Sequence, residues 1–290
     1  MFGHLATVSH SAPQLRLHME EVDVKSVSGI GLRDVQAVYG GPEGDLWELV
    51  MGEQIHIGGF ASSMDLAETA GIKPGTSGVD LCCCNGAGMR FLVRFRKAGS
   101  MRGVDATPAV VERGRQRCKQ QGLSGQITFV LGDVCASGLP SGSADFVWGE
   151  DAWCYVVDKP RLVSEAARIV KSGGTIAFTD WVEGNIEMSA AESERYLKFM
   201  KFANVLSLAD YSRLLSDNGC KVAVAKDTGR FAPHVDLYLN MLNMQLTYDA
   251  LRIIGFDTAL MQMLAQEMMF MQRLAHSEKI AQGLFVACKG

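Results

Sequence analysis

Short apolar runs separated by helical patterns are the main regularity of this chain. Apolar runs predict five strands, at residues 79–82, 101–105, 127–131, 145–148 and 176–179. Apolar residues spaced three and four apart predict helices between them, at residues 89–95, 107–121 and 160–170. Strands that alternate with helices predict a parallel sheet with helices on both faces, which is the doubly wound α/β class.

Helical patterns flank this core on both sides. Before it, residues 32–39 and 46–51 predict two helices around a turn at 40–44, and residues 63–70 predict a third helix with Ser63 as its N-cap. After it, we predict a helix at 207–218, a strand at 221–227, a methionine-rich helical segment at 234–280 and a last strand at 283–288.

The order of these elements predicts how the chain is divided. We expect a flexible arm at residues 1–30, a helical cap at 31–75 and the sheet core at 76–182. A lid and the sixth strand follow at 183–230, a methionine-rich helical lid at 231–280, and the last strand of the core sheet at 281–290. The arm carries His4, His10 and His18 at irregular spacing, which does not favour a metal site.

Composition narrows the choice of partner and compartment. The net charge is −4, from 28 basic and 32 acidic residues, so no excess of positive charge indicates nucleic acid or an anionic membrane. No apolar run approaches the roughly 20 residues that span a bilayer. Three of the eight cysteines are adjacent, which argues against a disulfide framework. We expect a cytoplasmic protein with a small-molecule partner and no metal ion, which could form a homodimer.

The clearest candidate for a binding site is the stretch at residues 78–88, Gly-Val-Asp-Leu-Cys-Cys-Cys-Asn-Gly-Ala-Gly. It is predicted to be a strand, a tight loop and the start of a helix, whose N–H groups favour the negative end of a ligand. Asp105 and Asp133 follow the next two strands. Together with Asp80 they predict a nucleoside site, because an acid can accept hydrogen bonds from ribose hydroxyls or an adenine amino group. The loop lacks the Gly-x-Gly-x-x-Gly spacing of dinucleotide sites.

In this order of motifs the chain resembles the class I S-adenosylmethionine-dependent methyltransferases, whose first motif is acid-x-Gly-x-Gly-x-Gly. The resemblance covers about residues 50 to 182. Residues 52–59, 91–94, 150–153 and 167–171 are similar to the sarcosine and dimethylglycine N-methyltransferases. The resemblance implies a seven-stranded, mostly parallel, Rossmann-like sheet with an N-terminal helical cap and a helical lid before the last strand. It also implies S-adenosylmethionine as cofactor and a small-molecule methyl acceptor.

Two glycines of the family motif are replaced here by Cys82 and Cys84, which leaves Gly86. A side chain in the left-handed backbone region costs about 1–2 kcal/mol. We therefore expect both cysteines to have negative φ and to line the methionine end of the cofactor. The resemblance implies a set of cofactor-binding residues: Tyr39, Asp80, Cys82, Gly86, Asp105, Ala106, Asp133, Val134 and Glu150.

Aromatic and acidic residues follow the fourth and fifth strands, in Trp148-Gly-Glu-Asp-Ala-Trp-Cys-Tyr155 and in Asp180-Trp181. Ring faces attract cations, which suits a sulfonium and an amine acceptor. The predicted catalytic set is Asp151, His56, Trp153 and His234, with Asp151 or a histidine accepting the proton of the amine. His56 could equally be a histidine satisfied in the core, and the rings could only seal it.

The preferred function is N-methylation of a small amine. Three alternatives stay open from the sequence. One is C- or O-methylation of a larger apolar molecule, suggested by the methionine-rich lid. A second is a cofactor-binding module without catalysis, which the substituted glycines would allow. The third, thiol or arsenic chemistry at the cysteines, is disfavoured because adjacent cysteines point their side chains apart.

Overall fold

A computed structural model describes residues 24–290, and its centre is one seven-stranded sheet. The strands are β1 (Ser77–Leu81), β2 (Ser100–Asp105), β3 (Ile127–Leu131), β4 (Ala144–Glu150), β5 (Val170–Glu183), β6 (Cys220–Asp227) and β7 (Ile280–Lys289). Their spatial order is β3-β2-β1-β4-β5-β7-β6. The first five are parallel, and β7 runs antiparallel to both β5 and β6. The predicted seven-stranded, mostly parallel, doubly wound sheet is confirmed.

Eleven helices surround the sheet within the described part of the chain. Those before β3 are α1 (Leu32–Tyr39), α2 (Pro42–Met51), α3 (Gly59–Thr69), α4 (Ala87–Phe95) and α5 (Pro108–Gln120). The later ones are α6 (Lys159–Ile169), α7 (Ala190–Met200), α8 (Leu208–Asp217), α9 (Phe231–Asn243), α10 (Thr247–Ile253) and α11 (Thr258–His276). Within residues 24–290, each helix is too short or too polar to cross a bilayer.

Both faces of the sheet are buried, as a doubly wound fold requires. Successive strand residues point to opposite faces, so Val147 of β4 packs in the cluster with α6 and α8, whereas its neighbours Phe146 and Trp148 pack in the cluster with α3 and α4. The third apolar cluster extends from the sheet, where it includes Trp181 of β5 and Ile280 of β7, into the flanking helices. It joins α2, α7, α9 and α11, and contains Met268 and Met271 of the predicted methionine-rich lid.

Several predicted elements are confirmed within a residue or two, among them β3, β6, α1, α6 and α8. Two predictions at the cap are wrong. The predicted turn at residues 40–44 is mostly helix, because Pro42 occupies the first turn of α2, where its missing N–H costs nothing. Ser63 is not an N-cap, since α3 already begins at Gly59.

The end of the predicted arm that the structure describes pairs with the rest of the chain. Ser26 forms an antiparallel bridge with Asn204. The N–H of Val27 donates to the carbonyl of Ala203, and the N–H of Val205 donates to the carbonyl of Lys25. Residues 24–27 are therefore not a loose arm, while residues 1–23, with the three histidines, lie outside the described residues.

Candidate active site

A cavity of about 330 Å³ opens at the C-terminal ends of β1, β2 and β4, the edge at which parallel sheets bind ligands. Helix α1 and residues 53–56 form part of its wall. Ten of the residues predicted from the sequence line it: Tyr39, His56, Asp80, Cys82, Asp105, Ala106, Asp133, Val134, Glu150 and Asp151. The topology therefore brings together residues that lie more than a hundred positions apart in the chain.

Asp105, the last residue of β2, is fixed by two backbone N–H groups. The amide of Cys84 donates to its Oδ2 at 2.9 Å and the amide of Thr107 donates to its Oδ1 at 2.8 Å. Each oxygen keeps a further lone pair, so the carboxylate can accept from two adjacent hydroxyls at once. Burial raises the pKa of Asp105, and the backbone donors oppose that rise.

The cysteines of the loop after β1 have the backbone conformation that we did not expect. Cys82 has φ of 65° and Cys84 has φ of 47°, so the prediction of negative φ is wrong for both. The N–H groups of Cys82 and Cys83 both donate to the carbonyl of Val104, and that of Cys84 donates to Asp105. These hydrogen bonds to β2 hold Cys82 and Cys84 in a left-handed backbone conformation, which is more typical of glycine.

Helix α4 begins directly after this loop and approaches the acidic side chains of the cavity. Gly88 permits the approach, since a Cβ there would lie 2.6 Å from Glu150 Oε2 and 3.4 Å from Asp80 Oδ2. Burial raises the pKa of Asp80 well above its usual value, and the nearby Glu150 and Asp105 raise it further. Gly86 does not line the cavity. It is the left-handed N-cap of α4, packed against Phe129.

Glu150, at the end of β4, is part of a polar cluster with the cap. Ser63 Oγ donates to Glu150 Oε1 at 2.5 Å. His56 Nε2 lies 3.2 Å from Ser63 Oγ and 3.4 Å from Glu150 Oε1. His56 is buried with polar partners and also lines the cavity. The two interpretations from the sequence, a histidine satisfied in the core and a residue of the site, are therefore compatible.

Asp151 follows Glu150 in the left-handed region, with φ of 49°. Its Oδ2 accepts from the N–H of Ile57 at 2.8 Å and from Gln282 Nε2 at 2.9 Å. Burial raises the pKa of Asp151, and His56 and the hydrogen-bond donors oppose that rise. The carboxylate of Asp151 is thus hydrogen-bonded to the cap through Ile57 and to β7 through Gln282, and it also forms part of the cavity wall.

Two tyrosines form a pair on the cavity wall. Tyr39, at the end of α1, donates its hydroxyl to that of Tyr155 at 2.9 Å, and the two rings meet edge to face at 5.4 Å. Burial raises the pKa of both phenols well above the ordinary value. Both hydroxyls therefore remain protonated at neutral pH and act as hydrogen-bonding groups.

Two of the predicted catalytic residues lie elsewhere. Trp153 is fully buried and stacks on Phe178 with ring centroids 4.0 Å apart, so it seals the core beneath the sheet edge. His234 lies on α9, where Nδ1 is 2.8 Å from the carbonyl oxygen of Arg230, and it does not line the cavity. Trp148 and Trp181 are buried as well. The prediction that indole rings face the reacting cation is wrong.

Two functional candidates were missed from the sequence, Ser63 and Gln282, while Tyr155 was singled out only as one of the aromatic rings after β4. Gln282 is a polar residue within the otherwise apolar sequence of the last strand. A polar side chain in a buried strand needs hydrogen-bond partners, so its position indicated a polar contact. Ser63 carried no comparable signal, because serine is common in helices.

Residues 79–178 match the family model of a methyltransferase domain. This segment, 100 of the 290 residues, is therefore similar to a methyltransferase domain. The matched segment runs from β1 into β5 and includes three acids: Asp80 near the end of β1, Asp105 at the end of β2 and Asp133 after β3. Together with the fold, the match confirms the predicted similarity to class I S-adenosylmethionine-dependent methyltransferases.

Individual relatives are described with different methyl acceptors. A protein described as a tocopherol O-methyltransferase of Oryza sativa is 30% identical over 165 residues, which is 50% of this chain and 45% of that protein. The chain thus spans less than half of this relative's length. The described structure matches a protein described as a sarcosine dimethylglycine methyltransferase of Galdieria sulphuraria, with a TM-score of 0.77, 20% identity, and coverage of 86% of this chain and 98% of that one.

A second solved structure is the Haemonchus contortus phosphoethanolamine N-methyltransferase 2 with phosphomonomethylethanolamine and S-adenosylhomocysteine. It gives a TM-score of 0.77 at 18% identity, over 88% of this chain and 58% of that one. At these identities the structures establish the shared fold. One of them is described as a member of the sarcosine and dimethylglycine branch that the sequence resembles, and the similarity to it is one of fold.

S-adenosylmethionine is the cofactor that this domain implies, and the residues of the cavity fit it. Asp105 offers two oriented oxygens to a ribose, and Asp133 is held by the N–H of Cys135 at 2.8 Å beside it. Val110 and Val134 supply apolar surface on the same side of the cavity. On the β4 side, Asp80 and Glu150 offer carboxyl groups near the helix α4 N-terminus.

Proposed function

We propose that this protein transfers a methyl group from S-adenosylmethionine to a small molecule held on the β4 side of the cavity. The observation that supports the proposal is that the predicted ribose and adenine acids and the polar cluster after β4 open into one cavity. When bound, S-adenosylmethionine supplies a methyl group on a sulfonium, which is transferred by in-line displacement. The protein's task is then to align the acceptor with the methyl group and to exclude water.

The charge of the cavity favours an amine as the acceptor. Its wall carries seven carboxyl side chains, those of Glu53, Asp80, Asp105, Asp133, Glu150, Asp151 and Asp158. Among the described residues of the wall, Arg161 is the one arginine and His56 the one histidine. An acidic wall attracts a protonated amine and repels an anion. The N-methyltransferase among the structural matches supports the same choice.

An amine must be neutral when it attacks, so a group near the acceptor has to take its proton. We propose His56 for this role, because its ring lies beside Glu150, which can stabilise an imidazolium. Asp151 is the second candidate, although Ile57 and Gln282 already occupy its oxygens. The hydroxyls of Tyr39 and Tyr155 would orient the acceptor.

Transfer to carbon or oxygen of a larger apolar acceptor is the second candidate function. The observation that favours it is the apolar part of the cavity wall, formed by Leu32, Val35, Ile55, Val156 and Val157. The O-methyltransferase among the relatives agrees with it.

Binding and turnover separate these functions from a module without catalysis. Calorimetric titration with S-adenosylmethionine and S-adenosylhomocysteine tests the cofactor site, and no binding would end the proposal. A screen with labelled methyl groups should then compare small amines with apolar phenols and alkenes from about pH 6 to about pH 10. Amine turnover that rises with pH supports N-methylation. Turnover of apolar acceptors alone would favour the second candidate, and binding without any turnover would favour the module.

A further inference from the structure

A short segment of the cap, residues 53–58, forms a strap over the cavity. Positive φ marks both of its ends. Gly52, the residue before the strap, has φ of 77°, and Gly58, the last residue of the strap, has φ of 85°. Four consecutive strap residues, Glu53 to His56, line the cavity. The placement of the strap therefore determines the shape of the part of the cavity wall that these four residues form.

The first end of the strap is attached to helix α4 and the loop before it. Arg90 Nη2 lies 2.6 Å from Glu53 Oε2, and Asn85 Nδ2 donates to the carbonyl of Glu53 at 3.2 Å. The Glu53 side chain is about half exposed, so water weakens its ion pair with Arg90.

The second end is attached through a closed triangle of buried groups. The N–H of Ile57 donates to Asp151, the carbonyl of Ile57 accepts from Gln282 Nε2 at 3.0 Å, and the same Nε2 donates to both oxygens of Asp151 at 3.0 and 2.9 Å. Ile57 and Gln282 are completely buried and Asp151 is 5% exposed. Bonds in such a dry environment are difficult to replace with water.

The amide of Gln282 has only one orientation that satisfies its neighbours. Its Oε1 accepts from Thr228 Oγ1 at 2.9 Å, and Thr228 Oγ1 in turn accepts from the N–H of Arg230. This leaves Nε2 to face Asp151 and Ile57. The amide thus connects β7 and the start of α9 with the residue after β4 and with the strap.

We infer that Gln282 is a positioning residue, which holds the strap and the carboxylate of Asp151 in the geometry that binds the cofactor and the acceptor. The inference rests on the proposed function for its effect on turnover. Its effect on the strap does not depend on that function, because the hydrogen bonds join residues of the chain to one another.

Gln282→Leu keeps most of the volume and removes both donors. We expect the amide hydrogen of Ile57 to exchange at least tenfold faster, and the dissociation constant for S-adenosylmethionine to rise about tenfold. Thr228→Val is the matched control, because it removes the partner of Oε1 in the same buried cluster, while Asp151 and the carbonyl of Ile57 are acceptors that still require Nε2 on their side. We expect Ile57 to stay protected in that variant.

A second variant makes the role testable if Gln282→Leu does not fold. Gln282→Glu places a carboxyl beside Asp151, which can donate only when it is protonated. We expect its cofactor affinity to recover towards that of the unmodified protein as pH falls from about 8 to about 5. The other titratable groups that interact with Asp151 are common to both proteins: His56 of the strap, Cys154, Asp180 of β5, Tyr196 of α7 and Tyr238 of α9.

The outcomes distinguish the two proposals. An unmodified protein that does not bind the cofactor contradicts the proposed function, while faster exchange of Ile57 in Gln282→Leu still supports the inference. Unchanged exchange of Ile57 together with unchanged cofactor affinity overturns the inference and leaves the proposed function intact. For Gln282→Glu, the same pH dependence of cofactor affinity as in the unmodified protein overturns it as well.

Discussion

The backbone N–H of Cys84 donates a hydrogen bond to the carboxylate of Asp105, with 2.9 Å between nitrogen and oxygen. This bond joins the loop after β1 to the end of β2, so the loop conformation and the orientation of the carboxylate depend on each other. The affinity for a cofactor that binds Asp105 should therefore also depend on the conformation of the loop.

Replacing Asp105 with alanine should weaken S-adenosylmethionine binding at least tenfold. The variant removes a charged acceptor whose hydrogen bonds are each worth about 1.5–3 kcal/mol. Calorimetric titration measures the change. Asp133→Ala is the comparison and should have a smaller effect, because only the adenine amino group is involved there. An unchanged dissociation constant for Asp105→Ala would show that the ribose binds elsewhere.

Cys84→Gly should leave the protein as stable as before or stabilise it by up to about 1 kcal/mol. It relieves a left-handed side chain, which costs about 1–2 kcal/mol, and adds back about 0.5–1 kcal/mol of chain entropy. Cys83→Gly is the matched control and should destabilise, because Cys83 is buried and does not have positive φ. Denaturant unfolding measures both variants. A clear loss of stability in Cys84→Gly would mean that its side chain contributes more than its backbone strain costs.

The hydroxyl pair Tyr39–Tyr155 should behave as one unit in catalysis. We expect Tyr39→Phe and Tyr155→Phe each to lower kcat/KM about fivefold, since each loses one neutral hydrogen bond of about 1 kcal/mol. The double variant should be hardly worse than either single one, because the bond is already lost. Steady-state kinetics with an acceptor found in the screen gives the four values. Effects that multiply would show that the two hydroxyls act separately.

The free energy of unfolding should fall as pH rises from about 4 to about 7, through the effect of Asp180. Burial raises the pKa of this carboxyl to about 7 against an ordinary value of 3.8, and Tyr211 and Lys159 oppose the rise. Between these pH values the carboxyl of Asp180 keeps its proton in the folded protein and has lost it in the unfolded chain. The free energy of unfolding should therefore decrease by a few kcal/mol in total, on the order of magnitude given by the pKa difference, and stay constant above about pH 7.

Asp180→Asn tests this assignment, because an amide has no proton to lose. Denaturant unfolding at several pH values should give a flatter dependence between about pH 4 and about pH 7 than in the unmodified protein. If the two proteins show the same slope, another buried group is responsible for it.

The sequence by itself determined the sheet and the acidic edge of the site. Apolar runs alternating with helical patterns require a parallel sheet, and parallel strands place their C-terminal ends on one edge. Asp105 and Asp133 end or follow β2 and β3, so they reach one cavity whatever the details of packing. The turn chemistry at the cap was harder to predict, because Pro42 suits a turn and a helix start equally well.

The tertiary structure alone decided which way each side chain faces and which distant residues meet. Trp148 and Trp153 are close in sequence, yet they pack on opposite faces of the sheet and neither reaches the cavity. The triangle of Ile57, Asp151 and Gln282 joins residues up to 225 positions apart. Local sequence cannot predict such contacts, because they depend on how the cap and the last strand dock against β4. The positive φ of Cys84 has the same origin, since its N–H must meet Asp105 on the neighbouring strand.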